Sequence, residues 1–236
     1  MIKRLLASAS VLAAVAASVS GIAVTAPAAA ATCSNVEVIF ARGTAEPAPP
    51  IGLTGSSFVA AVRSQLPGRS VAAYGVNYPA SASFTDRIGT ARSVITGVND
   101  VQRRIAYLAT ACPGTRVVLG GYSQGAVVAG YTVSPSVVLP PEYRTFTPRA
   151  LAPNLISKIA AVVLFAPPSA RFLSDAGAPA VRVRPELTNR TARYCIPSDN
   201  ICNGARLAGP GAVHVLYGVN GDTLRAASYV AGALRR

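Results

Sequence analysis

The segment G-G-Y-S-Q-G-A, residues 120 to 126, constrains the fold of this chain more than any other stretch. It follows an apolar run at 116–119 that predicts a strand, and it precedes a pattern that predicts a helix over about 124–131. The sequence G-x-S-x-G at a strand-to-helix turn is typical of a nucleophile elbow, where flanking positions must be small because the backbone is crowded. Ser123 is therefore a candidate nucleophile, and a glycine-rich turn without chemistry remains the alternative.

Apolar strands alternate with helical stretches along the rest of the chain. Such alternation is typical of a parallel sheet with helices on both faces, so we expect a single three-layer α/β domain. The predicted strands are 36–41, 71–76, 116–119, 159–165 and about 192–196, with a short extended piece at 181–184. The predicted helices run from Ser56 or Ser57 to Leu66 and over 86–111, 124–131 and 222–234, and a proline-rich loop covers 134–153.

The first residues predict an export signal. Lys3 and Arg4 precede a long uncharged stretch that ends in four alanines at 28–31, which is typical of a secretory signal peptide. We therefore expect a signal peptide at 1–31, a domain at 32–236 and a secreted protein, extracellular or associated with the cell envelope. An uncleaved membrane anchor is the alternative, and Thr32 disfavours a lipoprotein modified at Cys33.

The four cysteines predict disulfides because an exported chain meets an oxidising compartment. Three pairings are possible. Cys195 and Cys202 are close enough to close a short loop, which would leave Cys33 to pair with Cys112. A metal site is disfavoured, because the cysteine spacing does not fit zinc and the single histidine lies far from any cysteine pair.

The formal net charge of +13 raises the possibility of an anionic partner. The arginines are scattered and form no basic run longer than two residues, so the sequence does not predict a nucleic-acid-binding protein. Peripheral association with an anionic cell envelope fits this charge better.

A serine nucleophile needs a base, and His214 is the only histidine in the chain. It follows Ser123 in a loop over 204–218, which is the chain order expected of an α/β-hydrolase. Asp199 is the candidate carboxylate, because a disulfide around 195–202 would hold it rigidly and aim it at the imidazole. The other carboxylates after Ser123 that could serve are Asp175, Glu186 and Glu142.

Four stretches in order resemble the cutinase family, particularly its actinobacterial, mycobacterial-type members. They are F-A-R-G-T at 40–44, the elbow at 120–126, C-x-x-x-D-x-x-C at 195–202 and H-x-x-Y-G at 214–218. The resemblance covers essentially the whole predicted mature chain. It implies a lidless α/β-hydrolase with a central, mostly parallel five-stranded sheet that cleaves carboxylic esters as a monomer and needs no metal or cofactor.

Position by position, the resemblance implies Ser123 as nucleophile, His214 as general base and Asp199 as the residue that orients it. It also implies an oxyanion hole from the backbone N–H groups of Thr44 and Gln124, with the Thr44 hydroxyl as a further donor. Disulfides are implied between Cys33 and Cys112 and between Cys195 and Cys202. Two departures from the family pattern are the long proline-rich segment 134–153 and A-P-P at 166–168 in place of a glycine-led turn.

These residues predict a secreted serine esterase that hydrolyses short- to medium-chain acyl, cutin-like or lipid esters through an acyl-enzyme. A phospholipase A or thioesterase acting on envelope lipids is the alternative within the same chemistry. A catalytically silent envelope or binding protein is the alternative outside it. Apolar side chains near the histidine are expected either to line an acyl groove or to lie in the core: Leu207, Val213, Val215 and Leu216.

Overall fold

The computed structural model describes residues 33–46, 50–82 and 86–235. The predicted signal peptide at 1–31 lies outside these residues. The strands are β1 (Val36–Ala41), β2 (Val71–Gly75), β3 (Arg116–Tyr122), β4 (Ile159–Phe165) and β5 (Thr191–Tyr194). The α-helices are α1 (Gly52–Gln65), α2 (Arg87–Ala111), α3 (Gln124–Thr132), α4 (Pro153–Ile156), α5 (Ala170–Asp175), α6 (Pro185–Thr188) and α7 (Asp222–Ala233), and the 3-10 helices are η1 (Pro141–Phe146) and η2 (Ala212–Gly218).

The strands form one five-stranded sheet in the order β2-β1-β3-β4-β5, and every neighbouring pair is parallel. Chain order reverses direction between β1 and β3, which makes this the switch point of the sheet. Ala41 is in register with Gly121 there, so the segments that follow β1 and β3 emerge side by side. The predicted α/β fold with a parallel five-stranded sheet is confirmed.

Side chains of the central strands alternate between two buried clusters, one on each face of the sheet. Along β1, Val38 and Phe40 enter the cluster beneath α1 and α7, whereas Ile39 enters the cluster beneath α2 and α3. Phe40, Phe58 and Phe165 pack with ring centroids 5.4 to 6.3 Å apart on the α1 face. Burial of apolar residues on both faces explains why these strands read as nearly continuous hydrophobic runs.

The first helix begins earlier than the sequence predicts. We expected Ser56 or Ser57 at its cap, but α1 starts at Gly52, and Ser56 Oγ donates to the carbonyl of Gly52 within the first turn. The Glu46 carboxylate instead accepts from the N–H groups of Leu53 and Thr54, at 3.1 and 3.4 Å. A capping group from outside the helix leaves no local signal in the sequence.

Other boundaries also differ. β3 continues to Tyr122, so the strand includes the first two glycines of the 120–126 segment. The expected extended piece at 181–184 is not a strand, and η1 lies inside the proline-rich 134–153 segment. Asp86 caps α2 as predicted, accepting from the N–H of Gly89 at 2.8 Å. Within the described ranges, no helix is long and apolar enough to cross a membrane.

Candidate active site

Ser123 lies at the turn between β3 and α3 in a backbone conformation that is rare for a non-glycine residue, with φ 54° and ψ −116°. The glycines on either side have no room for a side chain. A Cβ at Gly121 would overlap the backbone of Gly125, and a Cβ at Gly125 would overlap the carbonyls of Ala41 and Arg42. The crowding expected of a nucleophile elbow is therefore present, and it holds the serine in a strained turn.

The structure brings Ser123, His214 and Asp199 together from three separate segments. Nε2 of His214 lies 2.9 Å from Ser123 Oγ, and Nδ1 lies 2.9 Å from Oδ2 of Asp199. Asp199 is fully buried, whereas Ser123 and His214 keep 9% and 6% of their surfaces exposed. Only the serine and the histidine can therefore meet a ligand, and the aspartate can act only through the imidazole.

Further contacts fix the Asp199 carboxylate. Oδ1 accepts from the N–H of Ile201 at 3.0 Å, and the Tyr217 hydroxyl donates to Oδ2 at 2.8 Å. The Tyr217 oxygen in turn accepts from the N–H of Ile196 at 2.9 Å. Burial, and then the neighbouring Asp199 charge, raises the pKa of Tyr217, so the phenol stays protonated and remains a donor.

A second tyrosine holds the histidine segment. The hydroxyl of Tyr122, the residue before the serine, donates to the backbone carbonyl of His214 at 2.6 Å. The Tyr122 ring packs against the imidazole with centroids 5.1 Å apart. Burial raises the pKa of Tyr122. The strand that carries the serine therefore also positions the backbone of η2.

The two disulfides have the expected pairing, Cys33 with Cys112 and Cys195 with Cys202. The second closes the loop that contains Asp199, and Asp199 N–H accepts no role in it but donates to the Ile196 carbonyl at 2.8 Å. The loop is therefore fixed by one covalent bond and by several backbone contacts.

Thr44 and Gln124 lie at the ends of neighbouring strands, after β1 and β3 respectively. Gln124 is the first residue of α3, where backbone N–H groups point out of the helix. Its side chain donates to the carbonyl of Ser81 at 3.1 Å and lies 3.5 Å from the Ser93 hydroxyl, which anchors it away from the serine. The side chain of Gln124 thus leaves its backbone N–H as the group nearest the elbow.

The other candidate carboxylates lie elsewhere. Asp175 accepts from the N–H of Leu207 at 3.1 Å, Glu186 lies 3.7 Å from Arg184, and Glu142 is exposed in η1. Among the described residues, no group of three or more histidine, cysteine or acidic side chains could hold a metal ion.

Exposed apolar side chains surround the histidine segment. Val215 is 67% exposed, so the expected alternative of burial in the core is wrong for it, and Leu207 and Leu216 are also exposed. Leu53, at the start of α1, is exposed and lies close to Gly218 at the end of η2. We call the four exposed residues Leu53, Val215, Leu216 and Val219 the apolar rim.

Comparison with known proteins places the chain in a family. The sequence model of the cutinase family matches residues 32–234. The chain is 42% identical over 171 residues to the probable carboxylesterase Culp7 of Mycobacterium tuberculosis, covering 72% of this chain and 89% of that protein. It is 39% identical over 211 residues to the phospholipase Culp4 of the same organism, covering 89% and 83%.

Among solved structures, a Trichoderma reesei cutinase in complex with a phosphonate inhibitor matches with a TM-score of 0.61 and 29% identity, over 86% of this chain and 77% of that one. The parallel sheet with a serine at a strand-to-helix turn defines an α/β-hydrolase-type protein. The chain belongs to the cutinase family, and it is a carboxylic ester hydrolase.

Sequence reasoning did not identify the two tyrosines as supports of the site. The spacing H-x-x-Y could have indicated Tyr217, because residues three apart lie on one side of a 3-10 helix. Tyr122 carried no comparable signal, since its partner is a backbone carbonyl 92 residues away.

Proposed function

We propose that this chain is a secreted serine esterase in which Ser123, His214 and Asp199 form a catalytic triad. The observation that carries the proposal is the unbroken hydrogen-bonded series from Ser123 Oγ through both imidazole nitrogens to a buried carboxylate. The strained serine turn and the absence of room beside it add support, because both are features of a nucleophile elbow.

The reaction is a two-step acyl transfer. Ser123 Oγ attacks the ester carbonyl carbon while His214 Nε2 takes the hydroxyl proton, and the carbonyl electron pair moves to the oxygen. The N–H groups of Thr44 and Gln124 stabilise this oxyanion, with the Thr44 hydroxyl as a further donor. Its collapse expels the alcohol, which takes the proton from Nε2 and leaves an acyl-enzyme.

Water completes the cycle. Nε2 of His214 takes a proton from water as the water oxygen attacks the acyl carbon, and Ser123 then leaves with that proton. Asp199 keeps the imidazole oriented and stabilises its positive charge in both steps. The acid product is released and the serine is restored.

The proposed protein acts outside the cell after removal of residues 1–31, as a single domain over 32–236. Two disulfides support this location, because such bonds persist in oxidising compartments. We also propose that it works as a monomer and contacts the anionic envelope peripherally through its net positive charge. Gel filtration and fractionation of the producing cells test these two points.

Hydrolysis of p-nitrophenyl esters with acyl chains from two to sixteen carbons tests the esterase. The oxidised protein should turn over short and medium chains, and Ser123→Ala and His214→Ala should lose nearly all activity while staying folded. A fluorophosphonate should label the wild type at Ser123. A folded wild type that neither hydrolyses these esters nor reacts with the probe would instead be a binding protein.

A phospholipase or thioesterase is the second candidate. The apolar rim favours a lipid substrate, since contiguous exposed apolar residues suit contact with acyl chains, and the relative Culp4 is named a phospholipase. Initial rates on phosphatidylcholine vesicles, an acyl thioester and p-nitrophenyl butyrate separate these readings. Val215→Ser with Leu216→Ser should lower the vesicle rate selectively, whereas equal effects on all three substrates would reject a lipid-specific rim.

A further inference from the structure

The carboxylate of Glu46 lies between the loop after β1 and the first turn of α1. Its Oε2 accepts from the N–H of Gly43 at 2.6 Å, and its Oε1 accepts from the N–H groups of Leu53 and Thr54. One side chain therefore joins the loop that contains Thr44 to the amino end of a 14-residue helix.

Gly43 is held by Glu46 at both of its backbone polar groups. Its N–H donates to the Glu46 carboxylate, and its carbonyl accepts from the Glu46 N–H at 3.3 Å. The peptide group between Gly43 and Thr44 is planar and trans, so its C=O and N–H point in opposite directions. Fixing the Gly43 oxygen therefore fixes the direction of the Thr44 N–H, which is the proposed oxyanion donor.

The surroundings leave the carboxylate little freedom. Gly52 has φ 65°, and a Cβ there would overlap the carboxylate of Glu46. Ala45 has φ 53°, and its N–H donates to the carbonyl of Ala80 at 3.0 Å. A non-glycine residue in this region is strained and persists only where its surroundings fix it. The turn at 43–46 is thus held from α1 on one side and from residue 80 on the other.

The Arg42 side chain adds a further anchor to the same loop. Its guanidinium donates to the carbonyls of Tyr78 and Pro79 at 2.9 and 3.2 Å, and the Tyr78 hydroxyl donates to the Arg42 carbonyl. None of these bonds, nor those of the turn given above for the described residues, uses the N–H of Thr44. That group is the one left pointing away from the anchors.

We infer that Glu46 is a positioning residue for the oxyanion hole. It acts through the Gly43–Thr44 peptide and does not touch the substrate, and its charge is matched by three N–H donors and the positive end of α1. This role deepens the proposed serine esterase mechanism and rests on it. Loss of the carboxylate should let the peptide rotate and weaken stabilisation of the oxyanion, with little effect on binding of the ester itself.

Two variants remove the interaction in different ways. Glu46→Ala deletes the carboxylate, whereas Gly52→Ala keeps it and crowds it out of its seat. Asp86→Ala is the matched control, because the Asp86 carboxylate caps α2 but does not contact the 43–46 turn. Each protein is assayed below its unfolding midpoint for kcat and KM on p-nitrophenyl butyrate, and for inhibition by an alkyl trifluoromethyl ketone, which forms an oxyanion on Ser123.

Both Glu46→Ala and Gly52→Ala should lower kcat about 10- to 100-fold, less than the effect of losing a whole oxyanion donor. KM should change little, and the ketone should bind more weakly by the same factor as kcat/KM falls. Glu46→Gln should lie between, since its one amide oxygen cannot serve both Gly43 and the helix. Asp86→Ala should lose stability but keep kcat.

The inference is overturned if Glu46→Ala keeps wild-type kcat and ketone affinity, or if Asp86→Ala loses as much of both at equal residual stability. Failure of the proposed function gives a different result. In that case the wild type itself shows no turnover and no ketone inhibition, and the inference about Glu46 falls with it.

Discussion

At the scale of single residues, the site depends on groups that never meet a substrate. Tyr217 donates to the buried Asp199 and accepts from a backbone N–H, while Tyr122 holds the carbonyl of His214. A carboxylate left with fewer partners in a buried position is costly. Orientation of the imidazole is therefore distributed over several hydroxyl and amide donors.

Tyr217→Phe removes one donor to Asp199 and leaves the Ile196 N–H without its acceptor. We expect kcat to fall about 10-fold and the free energy of unfolding to fall by about 1–3 kcal/mol, the usual effect of a lost hydrogen bond to a charged group. Kinetics on p-nitrophenyl butyrate and urea unfolding measure both. Tyr107→Phe, at a partly exposed position on α2, serves as the control, and an unchanged kcat in Tyr217→Phe would contradict the prediction.

Gly125→Ala places a methyl group against the carbonyls of Ala41 and Arg42. The end of β1 must then move away from the elbow and carry Thr44 with it, so we expect kcat/KM to fall by about 100-fold or more. Gly114→Ala is the matched control, since no atom lies within 4 Å of its added Cβ. A folded Gly125→Ala protein with near-wild-type kcat/KM would show that the elbow tolerates displacement.

At the scale of elements, the two disulfides have different tasks. The Cys33–Cys112 bond spans 79 residues and joins the chain before β1 to the end of α2, whereas the Cys195–Cys202 bond spans only 7 residues around Asp199. A longer closed loop restricts the unfolded chain more. The first bond should therefore matter most for stability and the second for geometry.

Paired serine substitutions separate these tasks. Replacing Cys33 and Cys112 should lower the free energy of unfolding by about 4–5 kcal/mol and leave kcat of the folded fraction nearly unchanged, whereas replacing Cys195 and Cys202 should cost about 2–3 kcal/mol. The second pair should also lower kcat, because the loop that holds Asp199 loosens. Denaturant unfolding and steady-state kinetics at low temperature provide the measurements, and the reverse pattern would refute the division of tasks.

The sequence predicted the long elements well and the short ones poorly. The runs at 36–41 and 159–165 are apolar throughout, and a strand buried on both faces requires that composition. The short helices α5 and α6 extend over too few residues to show a period. The start of α1 was wrong because its cap, Glu46, lies outside the helix. Contacts of this kind depend on the folded chain, so residue patterns alone could not reveal Glu46 or Tyr122 as supports.

At the scale of the whole molecule, buried phenols link stability to alkaline pH. Burial is the main cause that raises the pKa of four tyrosines: Tyr78, Tyr122, Tyr131 and Tyr217. Unfolded tyrosine ionises near pH 10. Above that pH the unfolded chain loses protons that the folded chain keeps, so the stabilisation present below about pH 10 is lost as the pH rises.

We therefore expect the free energy of unfolding to fall between pH 9 and pH 11 at constant salt. Rapid pH-jump absorbance at 295 nm should show that only part of the nine tyrosines ionise while the protein stays folded. Guanidinium unfolding at each pH gives the corresponding stability. Ionisation of all nine near pH 10 in the folded protein would contradict the prediction.

The parallel sheet gives the molecule two unlike edges. Every strand ends at the edge that carries the serine turn, and every strand begins at the opposite edge. Lys158, the only lysine in the sequence after Lys3, immediately precedes β4 at that opposite edge. Amine-directed coupling to a solid support would therefore attach the folded domain through the edge remote from Ser123, and the immobilised molecules would all present their reactive edge to the surrounding solution.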